Sequence, residues 1–586
     1  MPMIRHPCEE SMMTTAPPYR APVEDYAFLY GEAFGRDLLE HSTGGALTAS
    51  DAVDVIAAAG DFAASVLAPL ETVGDRVGAQ LIDGDVRLPD GFGDAYRRFV
   101  EAGWVTAEAP ESAGGDGLPR VVSAALGEIW NASNAAFALC WGLTQGQILA
   151  LDAAASPALR ETYLTKLVSG EWTGTMNLTE PDAGTDLGAI RTLATPRGDG
   201  SWSIRGQKIF ITWGDHDAAE NIVHLVLART PDAPEGARGL SLFVAPRVLV
   251  NADGTLGERN AITTVAIEHK LGIHGSPTCQ LAYDDATGYL VGELHGGLAG
   301  MFVMMNAERS AMAFQATGIS DRARQQAAAY AAERRQGPVL GRPAGTPIAG
   351  HPDVQRLLSS MSSDIFAMRA LGVHVADLAD RADEPGAGAL AEFFVPVLKG
   401  WATEEALRIT SDAIQVHGGM GFIEETGVAQ HYRDARIMPI YEGTTAIQSN
   451  DLVGRKVLRD GGATAETVFA QVSATAGQLA ATEHPTAHRI GVRLQRAVEA
   501  SRRATADLVA FAASPRDAFA VSVPYLMLLG TLAGAWMHAL ATVAVLRRGE
   551  ASEQDAARLA SADFYTAHHL PRVHALAETV AAGEIA

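Results

Sequence analysis

Apolar residues recur at three- and four-residue intervals over most of the chain, the spacing of amphipathic helices. A short helix is predicted over 27–39, ended by the Ser42-Thr-Gly-Gly45 turn. An alanine-rich helix follows over 46–68, with Ser50 as N-cap before Asp51. Helices over 91–102 and 118–133 flank the loop Gly114-Gly-Asp-Gly117, and two more cover 137–155 and 156–169. Pro157 suits a first helical position. The first 170 residues therefore read as all-helical. The period then shortens. Ser201-Trp-Ser-Ile-Arg-Gly-Gln-Lys-Ile-Phe-Ile-Thr212 alternates, and 221–229, 239–246, 260–269 and 278–283 are short β-like runs between turn residues, which predicts a compact β-domain or small barrel. The helical period returns over 299–336, 353–382, 392–415 and 444–458, a series that predicts a four-helix bundle. Gly461-Gly462 reads as a linker to further helices over 464–584, interrupted at Pro515 and Pro524. The expected class is mainly α with a central β-domain: an N-terminal extension (1–45), an N-terminal helical domain (46–170), a β-domain (171–295), a four-helix bundle (296–460) and a C-terminal helical domain (461–586).

Residues 518–546 carry no Asp, Glu, Lys or Arg, a run long enough to span a bilayer. Pro524 near one end and the Ala, Gly and Thr content favour a buried helix, so stable membrane insertion is not expected. No basic tract stands out, and 45 basic against 69 acidic residues give a net charge of −24, so nucleic acid is not an expected partner. Cys8, Cys140 and Cys279 are far apart and odd in number, which argues against a disulfide framework or a cysteine metal site. The N-terminus lacks the basic and apolar regions of a signal peptide, and a cytoplasmic location is expected. Met12-Met13-Thr14 reads as a natural start, with residues 1–11 as arbitrary polar sequence.

The segments with chemistry sit at the predicted joints. Met176-Asn-Leu-Thr-Glu-Pro-Asp-Ala-Gly-Thr-Asp186 opens the β-domain. Gly206-Gln-Lys-Ile-Phe-Ile-Thr212 ends a strand, and Gln415-Val-His-Gly-Gly-Met-Gly-Phe422 is a glycine-rich turn between helices. That turn follows no strand and lacks the Gly-x-Gly-x-x-Gly spacing, so it is not a dinucleotide fingerprint. Arg433-Asp-Ala-Arg-Ile437 leads into Met438-Pro-Ile-Tyr-Glu-Gly-Thr-Thr-Ala-Ile-Gln448. There Glu442 stands beside a glycine and two hydroxyls after an apolar run. Burial raises a carboxylate's pKa unless it is paired, and a shielded carboxylate can take a proton from a weak carbon acid. Read alone, the segment is better taken as an ordinary helix start with a glutamate in its first turn.

Together these motifs resemble, from about residue 50 to 458, the acyl-CoA dehydrogenase family of flavoenzymes. The Ala21-Pro-Val-Glu-Asp25 segment and the appended helices resemble the long branch that includes 3-methylmercaptopropionyl-CoA dehydrogenases. The resemblance implies FAD between β-domain and bundle. Met176, Leu178, Thr179, Thr185, Phe210, Ile211 and Thr212 would face its ring, with Leu178 and Phe210 as apolar walls. Arg334 would meet its pyrophosphate, a task suited to a guanidinium fork. Gln415, Val416, His417, Gly418 and Gly419 would contact the cofactor of a neighbouring subunit, and Thr444 its own. The chain departs from the family at Gln336-Gly337-Pro338, where Thr-Phe is common, and at Ala446, where some members have glutamine. Glu442 matches the catalytic base of most members. Glu308, near the position used by isovaleryl-type members, would be a pocket residue or an ion-pair partner of Arg309, which matches a residue meeting CoA. Thr185, Tyr441 and Gly443 complete the implied substrate contacts.

The reaction implied is α,β-dehydrogenation of a short-to-medium acyl-CoA to a trans-2-enoyl-CoA. The backbone N–H of Glu442 and a ribityl hydroxyl would stabilise the developing enolate. Electrons would pass to an electron-transferring flavoprotein, and the expected assembly is a homodimer. An acyl-CoA oxidase and a flavin-containing DNA-repair-associated protein on the same fold are the competing readings, with a non-catalytic scaffold behind them.

Overall fold

The computed structural model describes residues 17–34, 37–549 and 552–584. Residues 1–11, Cys8 among them, lie outside the described residues, as do positions 35 and 36 of the predicted 27–39 helix. The chain packs as two compact units, one from 1–64, 120–133 and 312–586, the other from 65–119 and 134–311.

In the second unit the β-domain is a closed circuit. Its strands are numbered with a preceding hairpin of β1 (Gln80–Ile82) and β2 (Asp85–Arg87). They are β3 (Trp172–Asn177), β4 (Leu193–Pro196), β5 (Trp202–Thr212), β6 (Asn221–Arg229), β7 (Leu240–Pro246), β8 (Val248–Val250), β9 (Leu256–Arg259), β10 (Ile262–Ile267) and β11 (Thr278–Val291). β11 pairs with β5, β5 with β4, β4 with β6, β6 with β7, and β7 returns to β11. β3 adds in parallel to β6, and β10 adds antiparallel to β11. Alternation along β5 and β11 sends Ile204, Ile211, Cys279 and Leu281 inward, where they meet Val226 and Phe243 in one apolar core. The predicted barrel is therefore present.

The β1–β2 hairpin corrects the all-helical reading of the first 170 residues. Its two-residue Asp83-Gly84 turn has positive φ at both positions, 51° and 88°, the conformation Asp-Gly favours between paired strands. The helix Arg120–Ala154 breaks at Asn134 (φ −164°, ψ 91°), near the predicted gap between 118–133 and 137–155. The N-cap of Ala49–Phe62 is Thr48, not Ser50. Thr48 accepts from the Asp51 N–H while Asp51 accepts from that of Thr48, which satisfies two backbone donors at once.

One contact in this unit sets a pH dependence. His274 Nδ1 lies 3.0 Å from Asp75 Oδ1 and 2.8 Å from the Asp75 carbonyl, and Nε2 lies 3.0 Å from the Lys270 carbonyl. Both nitrogens face acceptors, so both must carry protons. The hydrogen bond to Asp75 raises the imidazolium pKa from 6.5 to about 9. A raised folded-state pKa gives stability that is complete below 6.5 and lost as pH climbs through 9. The gap in melting temperature between wild type and His274→Leu is expected to be largest below pH 6.5 and to close above pH 9. A gap that does not change with pH refutes this.

In the first unit the bundle helices are Gly297–Glu333 (from Met312 onward), Pro352–Asp380, Ala387–His417 and Thr445–Asp451, the last continued by a π-helical turn, Leu452–Val457. The N-terminal segment docks here: Asp25 reaches Arg369 Nη1 at 2.6 Å, and the Tyr26 hydroxyl donates to Glu128 at 2.7 Å. The appended helices run Ala463–Ala480, Pro485–Ala510, Pro515–Ala520, Ser522–Arg548, Glu553–His568 and Arg572–Ala582. Pro524 sits in the first turn of Ser522–Arg548, and the helical run breaks just before it, at Val521. The uncharged 518–546 run is thus split, its first residues ending the preceding helix. Among the described residues two helices, Ala49–Val77 and Ser522–Arg548, are long and apolar enough to cross a membrane, and the apolar window of the latter is 94% buried.

Candidate active site

In the second unit two loops that are distant in sequence are fastened together. The Ile209 N–H donates to the Thr179 carbonyl at 2.9 Å. Lys208, fully buried, donates to the Leu178 carbonyl and to Glu180 Oε1, both at 2.8 Å. Glu180 also accepts from the Thr192 hydroxyl at 2.6 Å and from the Arg191 N–H at 2.7 Å. Burial pushes Glu180 up, but Lys208 and these donors outweigh it and hold the carboxyl below its usual range. Burial lowers Lys208 to about 8.

The β5–β11 register slips between Ile211↔Cys279 and Lys208↔Leu281, so Ile209 and Phe210 together oppose Gln280. Such a bulge re-aims a side chain. Phe210 takes φ 58° and stands 59% exposed, while Leu178 is buried. Met176, Thr179 and Thr212 are half-buried, Ile211 is buried and Thr185 is exposed. Trp213, which the sequence reading passed over, has φ 52° and locks the strand end by donating from Nε1 to the Ala136 carbonyl at 3.0 Å. Glu308 is buried against Gly146, where a Cβ would stand 3.0 Å from Glu308 Oε1. Arg309 donates to Asn306 at 3.4 Å and lies 5.9 Å from the Phe302 ring centre.

In the first unit Tyr441, Glu442, Gly443 and Thr444 form one half-buried loop before Thr445–Asp451. Glu442 has φ 53° and Gly443 φ 87°, two successive left-handed residues. For a glutamate that conformation costs roughly 1–3 kcal/mol and persists only where its surroundings impose it. They do so here. Lys399 Nζ donates to the carbonyls of Met438 (2.9 Å), Tyr441 (3.0 Å) and Gly443 (2.7 Å). Gln448 Nε2 donates to the Glu442 carbonyl at 3.1 Å. The Tyr441 hydroxyl is tied to Gln315, and the Thr445 hydroxyl to Glu404 at 2.7 Å. Thr444 caps the helix by accepting from the Ile447 N–H at 3.2 Å. A Cβ at Gly443 would come within 2.8 Å of Gln448 Nε2, so the residue after Glu442 must be glycine on two counts. The sequence reading missed Lys399, Gln448 and Gln315. Lys399 had a signal: it is the sole charge between Phe393 and Trp401, and a lysine inside an apolar run needs a partner.

Elsewhere in this unit, Arg334 and the Gln415–Gly419 turn share one end of the bundle. His417 stacks on Tyr330, ring centres 4.4 Å apart, and the Arg334 N–H donates to the Tyr330 carbonyl at 2.9 Å. Val416 is buried, Gln415, Gly418 and Gly419 are exposed, and Gly418 has φ 61° with open space beside it. Arg334 is exposed and, among the described residues, has no acidic partner for its guanidinium. The divergent 336–338 segment belongs to a self-contained loop, in which the Gln336 carbonyl accepts from His351 Nε2 at 3.0 Å.

Sequence families described as acyl-CoA dehydrogenase N-terminal, middle and C-terminal domains match residues 52–171, 175–286 and 295–457. A family described as acetyl-CoA dehydrogenase C-terminal like matches 468–586. The chain is 48% identical to 3-methylmercaptopropionyl-CoA dehydrogenase of Ruegeria pomeroyi, over 93% of this chain and 95% of that one. Among solved structures, Caenorhabditis elegans ACDH-11 in complex with C11-CoA matches with a TM-score of 0.78, 21% identity and 97% and 94% coverage. Bacillus anthracis acyl-CoA dehydrogenase complexed with FAD matches at 0.69, 22% identity and 85% and 84% coverage. The chain belongs to the acyl-CoA dehydrogenase family of flavoprotein oxidoreductases and carries the extra C-terminal helical domain.

Proposed function

We propose that this acyl-CoA dehydrogenase acts on a short-to-medium acyl-CoA, with 3-methylthiopropanoyl-CoA as first candidate, and that Glu442 is its base. The observation that carries the reading is the Glu442 loop: a half-buried carboxylate in a left-handed conformation that Lys399 and Gln448 hold. The candidate substrate comes from the 48% identical relative, which matches nearly end to end. The α C–H bond breaks with its proton passing to the Glu442 carboxylate, and the product is the trans-2-enoyl-CoA. The residues fit FAD. A bulged, outward Phe210 with Thr179 and Thr212 offers one ring face and polar edge. The exposed Arg334, whose guanidinium has no acidic partner among the described residues, and the open Gly418-Gly419 backbone suit phosphates. FAD, when bound, supplies the acceptor for the hydride that leaves Cβ. Electrons then go to an electron-transferring flavoprotein.

The test is a panel of straight-chain and 3-methylthio acyl-CoA thioesters with an artificial electron acceptor, alongside oxygen consumption. Dye reduction with 3-methylthiopropanoyl-CoA at the highest kcat/KM is expected. Turnover with oxygen alone would make the protein an oxidase, and a long-chain optimum would remove the proposed substrate.

A further inference from the structure

Lys399 lies on the helix Ala387–His417 with no solvent exposure. An ammonium has three protons, and each has a carbonyl acceptor on the loop that bears Glu442. A buried ammonium is costly unless hydrogen-bonded, and surrounding it with backbone carbonyls makes the loop's path a condition of its burial.

The peptide planes turn this anchor into chemistry. The described peptide bonds are trans, so each N–H points opposite to the carbonyl of its own plane. The Tyr441 carbonyl and the Glu442 N–H share one plane. Aiming that carbonyl at Lys399 Nζ, 3.0 Å away, aims the Glu442 N–H away from the ammonium. The Gly443 carbonyl, 2.7 Å from Nζ, does the same for the Thr444 N–H. Gln448 holds the intervening Glu442 carbonyl. Three consecutive planes are thereby fixed by two side chains from outside the loop. A cation on a carbonyl also draws electron density from the attached nitrogen, so the N–H becomes a stronger donor.

We propose that Lys399 is a positioning residue for the reaction: by gripping the Tyr441 and Gly443 carbonyls it orients and polarises the Glu442 N–H as a preset donor to the thioester oxygen. This rests on the assignment of Glu442 as base. A donor fixed before reaction favours the developing enolate over the neutral thioester, which bears less charge. Lys399 therefore acts on kcat more than on substrate affinity.

The experiment uses the FAD-loaded enzyme with a 3-oxoacyl-CoA, whose bound enolate is seen directly by its ultraviolet absorbance without turnover. Lys399→Met is expected to weaken enolate binding by about 10²-fold, the effect of losing one oxyanion donor, and to lower kcat similarly. Affinity for the saturated acyl-CoA should change less than about threefold, since binding shared by ground and transition states does not set kcat. Lys399→Arg, which keeps the cation but not its point geometry, should restore enolate absorbance in part. Should Lys399→Met not fold, Lys399→Gln, a neutral donor, takes its place with the same expectations. Wild-type enolate binding in a folded Lys399→Met or Lys399→Gln enzyme overturns the proposal, whatever happens to turnover. Glu442→Gln keeps its N–H and should still bind the enolate. If Glu442→Gln turns over normally, the base assignment has failed. If it is inactive while the Lys399 variants bind enolate normally, the positioning role alone has failed.

Discussion

Glu442→Gln is expected to fold, retain flavin and bind acyl-CoA, yet lose turnover by roughly 10²–10⁴-fold, the usual contribution of a positioned general base. The substitution keeps side-chain length and branching and removes basicity. The loop should survive it, because Lys399 holds the Tyr441 and Gly443 carbonyls and Gln448 the Glu442 carbonyl, and the substitution leaves those atoms in place. A carboxamide cannot take the α-proton, so the fall appears in kcat rather than KM. Stopped-flow bleaching of the flavin by a saturating acyl-CoA measures the step directly. The competing carboxylate is Glu308, buried against Gly146. Near-wild-type bleaching in Glu442→Gln together with loss of bleaching in Glu308→Gln would reassign the base.

The order of elements was legible because the hydrophobic period changes twice, from helix to strand and back. What stayed hidden was set by tertiary contacts. The hairpin Gln80–Arg87 is too short to show a period, although its Asp83-Gly84 turn carried a local signal. The bulge that turns Phe210 outward exists only because β11 fixes the register on both sides of Gln280. Within the site, the motif residues could be read off one after another, since each lies in a run of recognisable composition. Their supports could not. Lys399 reaches Met438, Tyr441 and Gly443 across about 40 positions of sequence, and Trp213 reaches Ala136 across 77. Periodicity says that such residues are buried, and contact alone says what they hold.

The full chain is expected to be a discrete homodimer, and removal of 463–586 is expected to give larger assemblies or precipitate. The helix Ser522–Arg548 lies directly on the bundle. A Cβ at Gly530 would fall 2.2 Å from Trp401 Cγ, and one at Gly400 would fall 2.8 Å from Leu526 Cδ1. A Cβ at Gly534 would meet Tyr565 on one side, with Ala367 Cβ 3.1 Å away on the other. Gly530 thus permits an approach to Trp401 that a side chain would block, and Gly400 and Gly534 leave room for Leu526 and Tyr565. His538 Nε2 reaches the Ser363 carbonyl at 2.9 Å, and Trp536 packs edge-on against His374. Burial lowers His538 to about 4, so it donates there as the neutral ring. Truncation would leave Trp401 and Phe366, buried in the full chain against Gly530 and His538, without this cover, and an exposed apolar face drives association. We infer that the appended domain occupies a bundle face that would otherwise meet another copy, while the end with Arg334 and Gln415–Gly419 stays free for one two-fold contact. Light scattering should give a homodimer for the full chain. Gly530→Leu tests the same face with one side chain: overpacking by about 1–3 kcal/mol or more should loosen the appended helices and raise hydrogen exchange across 522–548. A full-length tetramer, or a truncated chain that remains a well-behaved dimer, would show that the extension does not serve as cover.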